Sequence, residues 1–137
     1  MPPPSLSPLV PPPAQPSFSL WLPTVGVELL CGLVELSEHV RSGHRLPSDV
    51  VRFECADALA WKLPSDLGLV YVDDTAWDAP TIEALAARLS AKLPKGAIVI
   101  HNTEHGYSTL PRFRKLDAVS VGTSWNPRHT VHVHMTN

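Results

Sequence analysis

The 137-residue sequence has only two cysteines, Cys31 and Cys55, and it lacks CxxC, HExxH, GxSxG and P-loop motifs. Both cysteines fall in or beside apolar, strand-like runs, which favours buried reduced thiols over a disulfide-stapled scaffold. Seven histidines are present, but they do not follow the spacing of a zinc site. We therefore interpret them as exposed histidines of edge strands and predict no metal.

Positive charge is scarce, with 11 Lys and Arg against 13 Asp and Glu, and the first basic residue is Arg41. The formal net charge of −2 gives no general attraction to nucleic acid or to an anionic membrane. No apolar run has the length of a membrane-spanning helix. The amino terminus also lacks the charged start of a secretory signal. These absences predict a soluble intracellular protein of the cytoplasm or nucleus.

Proline is plentiful but unevenly placed, since nine of the 15 prolines lie in the first 23 residues. This composition predicts a disordered tail over residues 1–23, with polyproline II character. Residues 24–137 are then long enough for one folded domain with a real core, but not for two.

Apolar runs that suit buried strands alternate with helix-like segments in the folded part, which predicts an α/β fold with a mostly parallel sheet. Two later segments alternate in polarity and predict an antiparallel pair at the edge of that sheet. The predicted strands are Val25–Leu30, Val50–Cys55, Leu69–Val72, Ala97–Ile100, Ala118–Val121 and Thr130–Met135, and the predicted helices are Leu33–Arg41 and one from Asp78 to about Lys92.

Carboxylates stand at the ends of three successive predicted strands: Glu28, Asp57 and the pair Asp73-Asp74. In open α/β sheets, ligands bind just beyond the carboxyl ends of the strands. Each acid on its own could equally cap the following helix or turn without any ligand. Acids at three successive strand ends favour a binding site, and Trp77 would form part of its wall.

The order of these segments resembles the class I S-adenosylmethionine-dependent methyltransferases. It resembles more narrowly the non-SET histone-lysine methyltransferase family, the disruptor-of-telomeric-silencing type. The resemblance covers residues 24–137 and depends on five short segments in the family's order. These are Gly26-Val-Glu28, Asp57, Val72-Asp-Asp-Thr-Ala-Trp-Asp78, Pro94-Lys-Gly-Ala-Ile-Val99, and Val119-Ser-Val with Ser124-Trp125.

The resemblance implies S-adenosylmethionine as the cofactor and a protein lysine as the methyl acceptor. It assigns Gly26 and Glu28 to the cofactor ribose, and Asp57 with Ala58 to the adenine. Asp73 or Asp74 would face the methionyl part or the incoming amine, and Trp77 would line the channel of the acceptor. Aspartates at 73 and 74 depart from the family, which has paired asparagines there.

The larger departure is that no glycine precedes Gly26. The family's first strand and its glycine-rich loop, which lies under the methionine half of the cofactor, have no counterpart. The sequence therefore predicts a Rossmann-like methyltransferase sheet that is incomplete at its amino-terminal end, with weak or absent cofactor binding. An inactive methyltransferase-like interaction module is the alternative. In the gap, Val25–Leu30 would pair directly with Leu69–Val72, or an open seam would separate them.

Overall fold

The structure is a computed structural model that describes residues 22–137. The predicted disordered tail, residues 1–23, lies outside the described residues except for its last two positions. Helices and strands alternate through most of the chain, which then ends in two longer strands. The elements are β1 (Thr24–Glu28), α1 (Cys31–Gly43), β2 (Val51–Cys55), β3 (Leu69–Val72), α2 (Ala79–Lys92), β4 (Ile98–His101), β5 (Phe113–Val121) and β6 (His129–Thr136).

The strands form two separate sheets. β1 and β2 pair in parallel, and the other four strands form a sheet in the order β3-β4-β6-β5. In this second sheet β3 and β4 are parallel, whereas β6 is antiparallel to both β4 and β5. The predictions of an α/β fold and of a carboxyl-terminal antiparallel pair are therefore confirmed. β5 begins at Phe113 rather than at Ala118, because polar residues ahead of the apolar run also pair with β6.

Helix α2 supplies most of the helical side of the core. Its start is fixed by Asp78, whose Oδ1 accepts a hydrogen bond from Thr81 N at 2.9 Å, and by Pro80 in the first turn. Its buried face packs against the four-stranded sheet. Full burial of each large apolar side chain stabilises the fold by about 1.5–3 kcal/mol. The buried apolar residues of this core include Val72, Ile82, Leu85, Ala86, Leu89, Val99, Tyr107 and Phe113.

Helix α1 contrasts with α2, because none of its residues is buried. Leu33, Leu36 and Val40 lie on one stripe and are 47%, 58% and 50% exposed. The helix packs on β2 and, to a smaller extent, on β1, and Glu38 Oε1 accepts a hydrogen bond from Phe53 N at 2.9 Å. None of the residues of β1, α1 and β2 belongs to the main core. Within residues 22–137, no helix combines the length and the apolar character needed to cross a membrane.

The outer edge of β1 is unpaired in the described part of the chain. Thr24 N donates to Val50 O at 2.8 Å, and Glu28 O accepts from Ala56 N at 3.0 Å, so both residues direct their main-chain groups toward the β2 side. Main-chain groups alternate in direction along a strand. Val27 therefore points its N–H and C=O away from β2.

The outer edge of β3 is open in the same way. Ile98 N donates to Gly68 O at 2.9 Å, which places the main-chain groups of Val70 on the β4 side and those of Tyr71 on the free side. Within residues 22–137, β1 and β3 do not pair with each other. Of the two predicted arrangements, the structure has the open seam.

The open seam predicts rapid hydrogen exchange at two specific amides. Val27 and Tyr71 should exchange orders of magnitude faster than Val99, because their N–H groups have no ladder partner among residues 22–137. Val99 is fully buried on β4, between two neighbouring strands. Amide exchange followed by NMR resolves these positions. Slow exchange at both Val27 and Tyr71 would contradict an open seam.

The two cysteines correct the expectation of buried reduced thiols. Cys31 and Cys55 are exposed, and their Sγ atoms form a disulfide across a Cα–Cα distance of 5.0 Å. The reason is the register of the small sheet, in which Glu28 lies opposite Cys55. The chain then needs only three more residues to bring Cys31 beside that strand end. The bond therefore joins the start of α1 to the end of β2.

Candidate functional site

A large cleft lies between the outer edges of β1 and β3 and extends beyond their carboxyl ends. Its volume is about 1620 Å³, which is ample for a nucleotide-sized ligand. Among the described residues that line it, Arg52 is the only basic one, whereas five carry carboxylates. These belong to Glu28, Asp57, Asp66, Asp73 and Asp78. Such a lining favours cationic or neutral ligands and disfavours polyanions.

Six of the seven predicted site residues line this cleft, namely Gly26, Glu28, Asp57, Ala58, Asp73 and Trp77. They come from three strand ends and from the segment before α2, so the fold brings together residues that are distant in sequence. The seventh, Asp74, does not line the cleft. The roles assigned to all seven remain predictions.

Gly26 has a packing role that needs no ligand. It lies opposite Phe53 of β2, and a Cβ at this position would be 2.5 Å from Phe53 Cδ1. Any larger residue would displace that ring. The glycine therefore allows the ring of the neighbouring strand to cover β1.

Glu28 and Asp57 each make a local cap and also face the cleft. Glu28 Oε1 accepts a hydrogen bond from Leu30 N at 2.9 Å, and Asp57 Oδ1 accepts from Leu59 N at 2.8 Å. In each carboxylate the second oxygen accepts no hydrogen bond from residues 22–137. Capping and ligand binding are therefore compatible. Ala58, next to Asp57, also packs against the main core.

Asp73 and Asp74 follow β3 directly but occupy different environments. Asp73 is exposed at the cleft, and its Oδ1 accepts hydrogen bonds from Thr75 Oγ1 at 3.1 Å and from Asn102 Nδ2 at 2.8 Å. Trp77, 37% exposed, lies on the same wall. Asp73 and Trp77 together form the β3 side of the site.

Asp74 is 1% exposed and points into the protein. Its Oδ1 accepts from Asn102 N at 3.0 Å, whereas Oδ2 has no partner among the described residues. Burial raises the pKa of this carboxyl, against the lowering effect of the Asn102 N–H donor. Asp74 thus ties the end of β3 to the end of β4, and its carboxyl does not reach a ligand in the cleft.

A buried histidine pair lies behind these acids, and the sequence analysis misplaced it on an exposed edge. His101 and His134 are both 0% exposed, and His101 Nε2 lies 2.8 Å from His134 Nδ1. His101 Nδ1 lies 2.7 Å from Thr103 O, so Nδ1 carries the proton. Nε2 of His101 then accepts the proton of His134 Nδ1, so His101 is the neutral tautomer that carries its proton on Nδ1.

Tyr107 closes this buried cluster. Its ring stacks on His101 with centroids 3.7 Å apart, and it is fully buried. Burial lowers the pKa of His101 to about 4 and also lowers the pKa of His134. Burial raises the pKa of the Tyr107 hydroxyl. The cluster is therefore uncharged at neutral pH, and its members support the site rather than face the cleft.

Sequence reasoning also missed Asn102, which contacts both aspartates. Its position could have indicated a site residue, because Asn102 directly follows β4 just as Asp73 directly follows β3. Asparagine attracts less notice there because it carries no charge. Its importance depends on pairing β3 with β4, and residue patterns alone do not give that register.

No protein-family profile matches the sequence, and the comparison with curated proteins gives no match either. Solved structures do match. The N-methyltransferase NodS from Bradyrhizobium japonicum has a TM-score of 0.61 and 10% identity, over 82% of this chain and 72% of that one. Another NodS structure contains S-adenosyl-L-homocysteine.

Two further methyltransferase structures agree with this result. An S-adenosylmethionine-dependent methyltransferase from Clostridium acetobutylicum has a TM-score of 0.63 and 11% identity, over 83% of this chain and 75% of that one. TrmN from Thermus thermophilus has a TM-score of 0.68 and 16% identity, over 84% of this chain but only 36% of that one. The narrower resemblance to the non-SET histone-lysine methyltransferases is not supported by these matches. At these identities the likeness concerns the fold alone, and the chain has the Rossmann-like α/β fold of S-adenosylmethionine-dependent methyltransferases.

Proposed function

We propose that this chain is a methyltransferase domain that binds S-adenosylmethionine in the cleft between β1 and β3. The observation that carries the proposal is the cleft itself, where carboxylates from three strand ends meet at the edge of a methyltransferase-type fold. The cleft reaches the carboxyl ends of two parallel strand pairs, which is where open α/β sheets bind ligands.

The adenosine half of the cofactor fits the residues present. Glu28 Oε1 caps Leu30 N, and Oε2 accepts no hydrogen bond from the described residues, so it can accept hydrogen bonds from ribose hydroxyls. Asp57 likewise keeps one oxygen free for an amino group such as that of adenine. Ala58 and Leu59 provide apolar contact beside it.

The methionyl half has a poorer fit. Of the described residues that line the cleft, Gly26 and Gly68 are glycines, and neither has a positive φ. A close backbone approach of the kind that a glycine-rich turn provides is therefore absent from the described lining. Asp73 and Trp77 are the groups placed to contact this half. We infer weak binding, with a dissociation constant in roughly the millimolar range.

The charge of the cleft selects the methyl acceptor. When bound, the cofactor would supply an electrophilic methyl group. A cationic amine drawn to the cleft would first release a proton to water, and the lone pair of the neutral amine would then form the C–N bond as the C–S bond breaks. The five lining carboxylates attract a cationic amine, and Trp77 can exclude water beside it. A protein lysine, as the sequence resemblance implies, has this chemistry, and we propose it as the acceptor class.

Two alanine substitutions test the assignment of the adenosine half. Glu28→Ala should weaken binding of S-adenosylhomocysteine about tenfold, and Asp57→Ala about threefold, because a diol can make two charge-assisted hydrogen bonds to one carboxylate. Titration followed by NMR measures such weak affinities. Glu35→Ala removes an exposed carboxylate of α1 that does not line the cleft, and it should change nothing.

Three results would contradict parts of this proposal. Equal losses, or none, would indicate that Glu28 and Asp57 act only as caps. A micromolar dissociation constant of the unmodified chain for S-adenosylmethionine would contradict the inference that the methionyl half is poorly bound. No detectable binding of S-adenosylmethionine or S-adenosylhomocysteine would favour the inactive interaction module instead.

A further inference from the structure

Asn102 makes three hydrogen bonds that join three strands. Its main-chain N donates to Asp74 Oδ1 at 3.0 Å, and its Nδ2 donates to Asp73 Oδ1 at 2.8 Å. Its Oδ1 lies 2.9 Å from His129 Nε2. One residue after β4 therefore connects the end of β3 with the start of β6.

The orientation of the Asn102 amide is fixed by chemistry. An ionised carboxylate can only accept, so the amide group that faces Asp73 must be the nitrogen. The amide oxygen then faces His129, whose Nε2 must carry a proton to donate to it. Reversing the amide would break both contacts, so the two partners together hold one orientation.

This arrangement leaves one oxygen of Asp73 available. Oδ1 is occupied by two donors, Asn102 Nδ2 and Thr75 Oγ1. Oδ2 accepts no hydrogen bond from residues 22–137, and Asp73 is exposed at the wall of the cleft. A carboxylate held through one oxygen presents the other in a restricted direction, which lowers the entropic cost of binding.

We propose that Asn102 is a positioning residue that orients Asp73 so that its Oδ2 receives an ammonium group of the ligand. The inference rests on the proposed function, in which that group is the α-ammonium of the methionyl half. An ammonium donates N–H hydrogen bonds to a carboxylate, whereas a sulfonium has no proton to donate. The proposed contact is therefore shared by S-adenosylmethionine and S-adenosylhomocysteine and is missing for adenosine.

A double-mutant cycle with two ligands tests this role. Asn102→Ala should weaken S-adenosylhomocysteine binding about fivefold in the native background and should have no further effect in Asp73→Ala. Binding of adenosine, which lacks the ammonium, should stay unchanged in both variants. His129→Ala should give a smaller loss, which His129→Gln restores because its amide can still donate to Asn102 Oδ1. Asn137→Ala is the matched asparagine control.

The outcomes separate this inference from the proposed function. Additive losses in the Asp73→Ala background, or an equal loss of adenosine affinity, would overturn the positioning role, since a merely structural role affects both ligands. If the native chain binds none of the ligands, the proposed function fails. The positioning contact is then decided by the NMR signals of the Asn102 side-chain amide. They should shift in Asp73→Ala, and unchanged signals would overturn the contact.

Discussion

Reduction of the Cys31–Cys55 disulfide is expected to lower the free energy of unfolding by about 3 kcal/mol. The two cysteines are separated by 24 positions, and releasing a loop of this size returns chain entropy to the unfolded state. A loss of this size is a large part of the stability of a small domain. Urea denaturation with and without a dithiol reductant measures it directly.

Besides this effect on the unfolded chain, reduction should loosen the native structure most around β1 and β2, because the disulfide lies in the less buried part of the molecule. Helix α1 contributes no buried residue, so this part of the fold depends on the β1–β2 ladder, on the hydrogen bond from Phe53 N to Glu38 Oε1 at 2.9 Å and on this disulfide. Amides in β2 should exchange faster after reduction, while Val99 in the main core should be less affected. Since Cys55 lies two residues before Asp57, the wall of the cleft should loosen as well.

The control for this experiment is the double variant Cys31→Ala/Cys55→Ala. It should have the reduced protein's stability in both oxidising and reducing buffer. Identical unfolding midpoints for the native chain in the two buffers would contradict the prediction. They would show that the disulfide does not contribute to the free energy of unfolding.

Residue patterns were sufficient to predict the strands and the helix whose signals come from neighbouring positions in the sequence. β3 and β4 are short apolar runs bounded by charge or glycine, and α2 begins at an N-cap aspartate followed by proline. Such signals depend on neighbours within a few residues, so they can be read without knowing the fold. The placement of Glu28, Asp57 and Asp73 at strand ends followed from the same elements.

The remaining features depend on partners that are distant in sequence. His101 and His134 are 33 residues apart, and they meet only because β6 pairs antiparallel with β4. The burial of Asp74 and the disulfide depend likewise on which strands become neighbours and in what register. Polar side chains are usually exposed, and cysteines in apolar runs are usually buried and reduced. Neither tendency holds for these residues, because strand pairing between distant segments determines their surroundings.

Acidification from pH 7 to about pH 4 is expected to destabilise the fold by about 3 kcal/mol through His101 alone. Burial lowers the pKa of this histidine from its ordinary value of 6.5 to about 4, and each unit of difference corresponds to about 1.4 kcal/mol. In this range the unfolded chain binds a proton that the folded chain does not. The contribution is therefore fully present above about pH 6.5 and is lost as the pH falls toward 4.

Two other buried groups modify this slope. Burial lowers the pKa of His134 as well, which adds to the loss in acid. Burial raises the pKa of Asp74, so the folded state gains a proton there before the unfolded state does. Protonation of Asp74 thus favours the folded state as the pH falls, and it offsets part of the loss at the acidic end of the range.

Substitution of His101 separates this effect from general acid denaturation. His101→Gln removes the titrating ring but keeps, in Oε1, an acceptor for the proton of His134 Nδ1, so urea unfolding between pH 7 and 4.5 should show a shallower fall in stability. His39→Gln and His44→Gln remove exposed histidines and should leave the slope unchanged. A slope that is the same in His101→Gln as in the native chain would show that His101 is protonated equally in the folded and unfolded states. Its burial against Tyr107 and His134 would then have no energetic consequence for its charge.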